Sequence, residues 1–450
     1  MVTAGCIDRR AAVDGDPQTD DARADARPGA DFAPAADGSP HDAAPGPDAQ
    51  PDAASPCVPA VDPTEGCNGA DDDCDGLIDE GLPWTLLDEP GVVWTGEGAA
   101  LSAHLSAHGD GLLAGFRLGF VEPPNGMRRL LDETGAPVGE AAPFSATYVS
   151  QGPTLSRGPE GSTLMAWCGA RGGESRAIAA RIERDGTETG EAVRAPTDRS
   201  CGAAEPAQIR IGARRWFAWT DNSTGPVPDH EVLLERSDLD GRAQDWWQLH
   251  DTGDLTAAPR LAARGDRGVV VYGVREGQRW LVEARPLDGD APGDPLRLEP
   301  PEGVFFGGLT VAATQDGWLV LALDRAGVGA LRARLRTEAD GRLSVIEPPT
   351  RVELNGPTVF RPDALNLLPL PGGRFLLSGM ANVPQVGSLG FFAGLDPDGG
   401  VESVTLTDNL TWWPSAARAG REVRVLFGRP VAEQRVDLLI QRVGCVPEAP

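Results

Sequence analysis

Short apolar runs recur along most of the chain, separated by polar stretches rich in glycine. They are rich in Val, Leu, Phe and Trp and too short for a typical helix, which favours buried β-strands. Successive runs begin between 48 residues apart (373 to 421) and 56 residues apart (317 to 373). A period of this length predicts a repeat architecture. The runs begin at Gly111, Ser162, Arg215, Gly268, Gly317, Gly373 and Arg421.

A second signal keeps the same period. Each of the first six runs is followed by an Arg- and Leu-containing segment that ends in an Asp/Gly turn, a strong hairpin signal because glycine tolerates positive φ. Each repeat is thus predicted to hold four antiparallel strands. The turns lie at Asp132 to Gly135, Asp185-Gly186, Asp240-Gly241, Asp288-Gly289, Asp340-Gly341 and Asp398-Gly399.

Four-stranded units of about 50 residues are typical of β-propeller blades. The sequence therefore predicts an all-β chain whose residues 83–445 form a seven-bladed β-propeller. The seventh repeat lacks a fourth strand, and the segment PWTLLDE at Pro83 is predicted to supply it and so remove an exposed edge. A count of six or eight blades, or a pair of β-sandwiches, remains open at this point.

The N-terminal region differs sharply in composition. Residues 7–56 contain 11 Asp, 4 Arg and almost no large apolar side chains, so we expect a disordered stalk. The first six residues, MVTAGC, resemble the end of a bacterial lipoprotein signal, and this resemblance implies lipid attachment at Cys6. The apolar segment usual in such a signal is missing. Residues 446–450 are expected to form a short tail.

An acidic loop lies between the stalk and the repeats, in the segment 57–82. Its alternating Asp residues, with a glycine and a main-chain carbonyl between them, match most of the spacing of a calcium loop. The twelfth position, which holds a bidentate Glu in a full calcium hand, is Leu82. The predicted ligands are Asp71, Asp73, Asp75, the Leu77 carbonyl, Asp79 and, in addition, Glu80.

The sequence CNGADDDCDGLIDEG from Cys67 to Gly81 closely resembles the MopE-type metal-binding motif of secreted bacterial proteins. This resemblance implies metal binding, and the family name suggests copper. Hard carboxylate oxygens favour calcium over copper, because copper prefers His, Met or thiolate ligands. Calcium is therefore the expected cofactor, with copper as the alternative and a solvated turn that binds no metal as a further one.

Seven cysteines in this arrangement predict three disulfides and one remaining thiol, and hence an oxidising compartment. We expect Cys6 to be the unpaired one. The predicted pairs are Cys67–Cys74, Cys168–Cys201 and Cys57–Cys445.

The charge excludes one class of partner. The formal net charge is −27, and all 40 basic residues are arginine, so nucleic acid is an unfavourable partner. No apolar run spans a bilayer, which leaves a lipid anchor at Cys6 as the only expected contact with a membrane.

No catalytic constellation is recognised in the sequence. His104 and His108 lie four residues apart, a spacing that aligns side chains on a helix but not on a strand. A propeller glycosidase of the sialidase type needs a tyrosine nucleophile, and only Tyr148 and Tyr272 are present. Tryptophans could stack on sugars, although they more commonly fill blade cores. These are Trp216, Trp219 and the pairs Trp246-Trp247 and Trp412-Trp413.

The sequence thus predicts an exported, monomeric lipoprotein of a bacterial outer membrane or cell surface, or a periplasmic or extracellular protein. A calcium loop and a non-enzymatic propeller would serve in recognition or display of an extracellular protein or glycan. One alternative is a propeller enzyme acting on extracellular glycans, and a second is a copper-binding protein.

We predict that the oxidised protein binds one calcium ion with a dissociation constant on the order of 10⁻⁴ to 10⁻³ M, because the twelfth-position Glu is missing. Calorimetric titration with calcium and with copper(II) checks this. The double variant Asp73→Ala, Asp75→Ala should lose the calcium heat. Tight copper binding without a calcium response would show that the family resemblance is the better guide.

Overall fold

The structure is a computed structural model that describes residues 84–445, except for residues 120, 172–173, 195–198, 203–204, 222–230, 251–258, 278, 289, 302–305, 325–328, 355–358, 384–386, 411, 421 and 433–434. Of the predicted segments, 1–6, 7–56, 57–82 and 446–450 lie outside the described residues. The described part is all-β: its only helical elements are two 3-10 turns, Pro159–Gly161 and Pro371–Gly373.

Five sheets have four antiparallel strands each. In chain order they consist of β7 (Val149–Arg157), β8 (Thr163–Arg171), β9 (Glu174–Ile182) and β10 (Glu188–Val193); β11 (Ala207–Ile211), β12 (Arg214–Thr220), β13 (Val232–Ser237) and β14 (Ala243–His250); β15 (Arg260–Arg264), β16 (Arg267–Glu276), β17 (Arg279–Pro286) and β18 (Leu296–Leu298); β19 (Phe306–Ala313), β20 (Trp318–Asp324), β21 (Gly329–Thr337) and β22 (Leu343–Glu353); and β23 (Val359–Pro369), β24 (Phe375–Val383), β25 (Gly387–Leu395) and β26 (Val401–Leu410).

A sixth sheet has nine strands and joins the first and last strands of the described part of the chain. Its strands are β1 (Trp84–Leu86), β2 (Gly91–Trp94), β3 (Ala99–His108), β4 (Gly111–Gly119), β5 (Gly126–Leu131), β6 (Pro137–Pro143), β27 (Trp412–Ala419), β28 (Glu422–Ala432) and β29 (Arg435–Cys445).

The architecture is a β-propeller, as predicted, but the described residues form five separate four-stranded blades and not seven. The strands expected for the first blade, β3 to β6, and those expected for the seventh, β27 to β29, lie in the nine-stranded sheet. A single parallel pair, Val436 with Ala99, connects β29 to β3. The predicted count of separate blades is therefore wrong, because this pair makes the two groups of strands continuous.

Each apolar run of the sequence forms the second strand of its four-strand unit, so this prediction is confirmed. These strands are buried on both faces; Val269, Val270 and Val271 in β16, for example, are all fully buried. Sheets that pack against a neighbour on either side need apolar side chains on both faces. That requirement explains why these segments are continuous apolar runs and lack the alternation of a half-exposed strand.

The Asp/Gly turns join the third strand of a unit to the fourth, as predicted. At Gly186 and Gly341, φ is 85° and 84°, a conformation that favours glycine. The Gly186 N–H donates to the Glu183 carbonyl at 2.8 Å, which closes the turn. Five of the six predicted turns have this geometry; Gly289 of the sixth lies outside the described residues.

The N-terminal segment closes the ring as predicted. Strand β1 pairs antiparallel with the end of β29, with Trp84 opposite Cys445. Strand β2 pairs with the middle of β29, with Gly91 opposite Ile440. The last strand of the chain therefore gains a partner on its second edge, and its backbone N–H and C=O groups are not left unpaired.

The core is divided into hydrophobic clusters that lie between consecutive groups of strands. One joins β15–β18 to β19–β22, and another joins β8 and β9 to β12 and β13. The latter contains the disulfide Cys168–Cys201, which is confirmed, with its Cα atoms 5.4 Å apart. The predicted pairs Cys67–Cys74 and Cys57–Cys445 involve side chains outside the described residues. Cys6 also lies outside them.

We predict that Trp84→Ala weakens the closure of the ring. Trp84 is 9% exposed and packs with Leu376, Phe392 and Leu439, so its removal should lower the free energy of unfolding by about 3–5 kcal/mol. Urea denaturation followed by circular dichroism measures this loss. The matched control is Trp246→Ala, since Trp246 is 43% exposed. An equal loss in both variants would contradict the role of β1.

Candidate functional site

A central cavity lies where the inner edges of the sheets meet. Its volume is about 210 Å³. Strands β3, β7, β11, β15, β19, β23 and β27, each the first strand of its unit, all contribute to its wall. Because one short stretch of each strand borders the same space, residues far apart in sequence become neighbours there.

Three charged or ionisable side chains line this cavity: His104 from β3, Glu205 from the segment before β11, and Arg260 at the start of β15. His104 Nε2 lies 3.2 Å from Glu205 Oε2. Their side chains are 25% and 17% exposed. They therefore form a hydrogen-bonded pair that solvent and a small ligand can reach.

The backbone of β3 is distorted next to this pair. The register between β3 and β4 shifts between Leu101 and His104, and Ser102 has a φ of 45°, which is uncommon for a residue other than glycine. The Ser102 hydroxyl donates a hydrogen bond to Glu205. Strained non-glycine residues concentrate at functional sites, where surrounding contacts hold them in place. The distortion thus places two donors, Ser102 and His104, against one carboxylate.

The surroundings of Glu205 hold it in the ionised form. Burial alone would raise the pKa of the Glu205 carboxyl, but His104 and Arg260 together with hydrogen bonds from His104 and Ser102 outweigh that effect, so the pKa lies below its ordinary value. Burial also lowers the pKa of Arg260, and the charge of Glu205 opposes this shift. The cavity therefore contains an anionic base next to a histidine.

Three further polar atoms in the wall, Ser156 Oγ, Gln208 Nε2 and Asn366 Oδ1, are buried and have no hydrogen-bond partner among the described residues. Unpaired buried polar atoms are uncommon and need an explanation such as a ligand or water. Donors and acceptors at several points of one cavity suit a ligand that carries several hydroxyl groups.

The other residues singled out in the sequence lie elsewhere. His108 is buried, with its Nδ1 atom 2.9 Å from Thr163 Oγ1, and it does not join His104. Tyr272 is buried within its sheet, where its hydroxyl donates to Glu283 at 2.8 Å, and Tyr148 is exposed.

The tryptophans mainly fill the core. Trp216 and Trp219 are buried, and Trp247 stacks on Trp216 with ring centroids 5.6 Å apart. Trp246 is exposed. The side chains of Trp412 and Trp413 lie outside the described residues.

Sequence reasoning missed Glu205 and Arg260. Neither belongs to a motif, because each is a single residue on a different unit. No local sequence pattern could have identified them. They are recognised only because the inner strands bring them to the same cavity.

The predicted metal ligands Asp71, Asp73, Asp75, Leu77, Asp79 and Glu80 lie outside the described residues. In the part of the chain that the structure describes, no group of three or more His, Cys, Asp or Glu residues is placed to hold a metal ion. No helix there is long and apolar enough to cross a bilayer.

No family model and no curated protein matches the chain. Experimentally determined structures do resemble it. A protein of unknown function from Dyadobacter fermentans is 14% identical, with a TM-score of 0.50 over 81% of this chain and 99% of that one. An α-L-arabinanase from Penicillium chrysogenum is 12% identical (TM-score 0.46, 79% and 99% covered), and an α-L-arabinofuranosidase from Fusarium graminearum is 11% identical (TM-score 0.44, 78% and 98% covered).

These similarities show the fold and identify no site residue. The expectation that the propeller is not an enzyme is nevertheless corrected in one respect: glycoside hydrolases are among the structures that share this fold, so the fold gives no ground for excluding an enzyme. The expectation failed because it depended on recognising a catalytic pattern along the sequence. In this propeller the side chains that line the central cavity come from different units, so they form no pattern along the sequence.

We predict that Glu205→Gln destabilises the protein by about 2 kcal/mol at neutral pH, because Arg260 and His104 lose a charged partner. The pKa of Glu205 is depressed in the folded state. The contribution of the ionised Glu205 to the free energy of unfolding is therefore fully present above its ordinary pKa of 4.5. It is lost as the pH falls through the folded-state pKa. Urea denaturation of both proteins between pH 7 and pH 3 measures the difference. A difference that grows on acidification would contradict this assignment.

Proposed function

We propose that this protein is a propeller enzyme that acts on extracellular glycans in its central cavity. The observation that carries the proposal is the pair of His104 and Glu205, 3.2 Å apart, in a cavity bordered by the first strand of every unit. A concave site with a few convergent polar groups and a carboxyl of shifted pKa is the usual form of an active site.

The roles follow from charge. Hydrolysis of a glycosidic bond needs one group that activates water and another that protonates the leaving oxygen. Glu205, held ionised, is assigned as the base. Among the lining residues that the structure describes, Glu205 is the only carboxylate, so proton donation is assigned to His104. Arg260 fixes the charge of Glu205.

The unpaired polar atoms of Ser156, Gln208 and Asn366 support a carbohydrate ligand. Each stands on a different inner strand, and together they present donors and acceptors around the cavity wall. Sugar hydroxyls can both donate and accept hydrogen bonds, so they can satisfy all three. A cavity of about 210 Å³ is small for a ligand site and suits a single sugar unit, with the remainder of a chain extending outward.

We also propose that the ring is built from seven equivalent units. The nine-stranded sheet has its own hydrophobic cluster, in which Ala100 and Leu112 meet Leu426 and Leu438. This is the kind of packing found between the separate sheets. The two groups of strands are then two blades connected by the one pair Val436–Ala99.

The predictions of export, a lipid anchor at Cys6 and a calcium or copper loop fit a glycan-acting role outside the cell. They rest on sequence patterns alone. The disulfide Cys168–Cys201 supports an oxidising compartment.

We predict that the full-length protein releases sugar from at least one member of a panel of neutral and acidic glycans, and that Glu205→Gln lowers kcat by 10²-fold or more, as expected for loss of a general base. His104→Gln should also lower kcat and change its pH profile. Reducing-sugar release measures both effects.

The matched control is Glu174→Gln, since Glu174 is 64% exposed and pairs with Arg176 outside the cavity. It should keep full activity. Binding of a glycan without turnover by the native protein would instead support recognition or display, and equal activity in the Glu205 and Glu174 variants would rule out the assigned site.

A further inference from the structure

A second cavity, of about 510 Å³, continues from the central one. Leu155, Asn366 and Leu367 border both. Its other wall residues come from the ends of the first strands, including Arg157 at the end of β7 and Arg418 near the end of β27. It is therefore a mouth of the channel, on the side where the first strands turn back into the second strands.

This side of the ring is called the hairpin face here, defined by the turns at residues 109–110, 158–162, 212–213 and 265–266. Adjacent turns are in contact. The Gly109 N–H donates to the Gly161 carbonyl at 2.7 Å, and a Cβ atom placed on Gly212 would lie 4.0 Å from Asp266 Cβ. The ends of neighbouring first strands thus share one face.

Four arginines stand at these strand ends: Arg157, Arg210, Arg264 and Arg418. All four are exposed. Within the described residues, none of them forms an ion pair with a carboxylate. Other arginines, such as Arg184, Arg236 and Arg334, do pair with an Asp. The chain has a net charge of −27. From composition alone, a cluster of arginines without carboxylate partners is therefore not expected.

Two of the four are held in the same way. Arg210 Nε donates to the Gly212 carbonyl at 2.7 Å, and Arg418 Nε donates to the Gly420 carbonyl at 2.8 Å. Each guanidinium group is therefore fixed by its own turn, while its terminal NH₂ groups point to no carboxylate among the described residues. A fixed guanidinium loses less side-chain entropy when it binds a carboxylate or sulfate.

The carboxylates of the hairpin face do not cancel this charge. Asp110 pairs with Arg184, and Glu160 lies 3.9 Å from Arg181. Asp266 is flanked in sequence by Arg264 and Arg267. The mouth therefore keeps a local excess of positive charge, which attracts anions over about a Debye length.

We propose that the hairpin face binds acidic polysaccharide, with Arg157 and Arg418 at the mouth as the pair that binds its carboxylate or sulfate groups. This inference rests on the proposed function, since it names the substrate class of the same channel. A polyanionic chain bound at the mouth would be positioned with one end in the cavity that contains Glu205.

The test is binding of three probes by the full-length protein: an oligogalacturonate, a sulfated dextran oligosaccharide and a neutral arabino-oligosaccharide. We expect an acidic probe to bind more tightly than the neutral one and to bind more weakly as the NaCl concentration rises. The two acidic probes distinguish a carboxylate from a sulfate ligand.

The double variant Arg157→Gln, Arg418→Gln should weaken binding of the preferred acidic probe by tenfold or more, as expected for loss of charge-assisted hydrogen bonds. The matched control is Arg242→Gln, Arg342→Gln. It removes the same charge from two exposed Asp/Gly turns that lie away from the hairpin face. Equal weakening in both double variants, or equal affinity for acidic and neutral probes, would overturn the proposal.

The Glu205→Gln variant separates this inference from the proposed function. If acidic probes bind through the mouth arginines but no glycan is hydrolysed, the proposed binding site at the mouth is correct and the enzymatic role is wrong. If a neutral glycan is hydrolysed with dependence on Glu205 while the arginine variants bind and turn over normally, the enzymatic role stands and the acidic substrate class is wrong.

Discussion

The pairing of the N-terminal strands with the last strand is the constraint on which the rest of the structure depends. Without β1 and β2, strand β29 would expose a row of unpaired backbone groups at the point where the first and last described strands meet. With them, β29 is paired along both edges. A closed ring fixes the distance between opposite inner strands, so closure sets the size of the central cavity.

The positions and charges of the side chains in the cavity depend on the closed ring. Each inner strand contributes only two or three residues to the wall, so a functional group needs its neighbours on other units to be in place. Glu205 shows this, because its charge is stabilised by His104 from β3 and Arg260 from β15. A loss of closure at Trp84 would therefore disturb the site even though Trp84 lies at the sheet of the last strand and does not line the cavity.

The central cavity and its mouth differ in charge. The central cavity combines an ionised carboxylate with a histidine and an arginine, whereas the mouth on the hairpin face carries arginines without carboxylate partners in the described chain. A positive mouth that leads to a half-buried carboxylate suits an anionic ligand that is held at one point and reacts at another. Binding energy gained away from the reacting bond can then position the substrate.

The sequence by itself determined the repeat, the second strand of every unit, the Asp/Gly turns, the closing role of the segment at Pro83 and the Cys168–Cys201 pair. These features are local or follow a fixed period, and backbone conformation and burial enforce them. Only the tertiary structure decided that Val436 and Ala99 connect two groups of strands into one sheet, and that His104, Glu205 and Arg260 share a cavity. Such contacts depend on how the strands are arranged around the ring, and the sequence pattern of a single repeat contains no information about that arrangement.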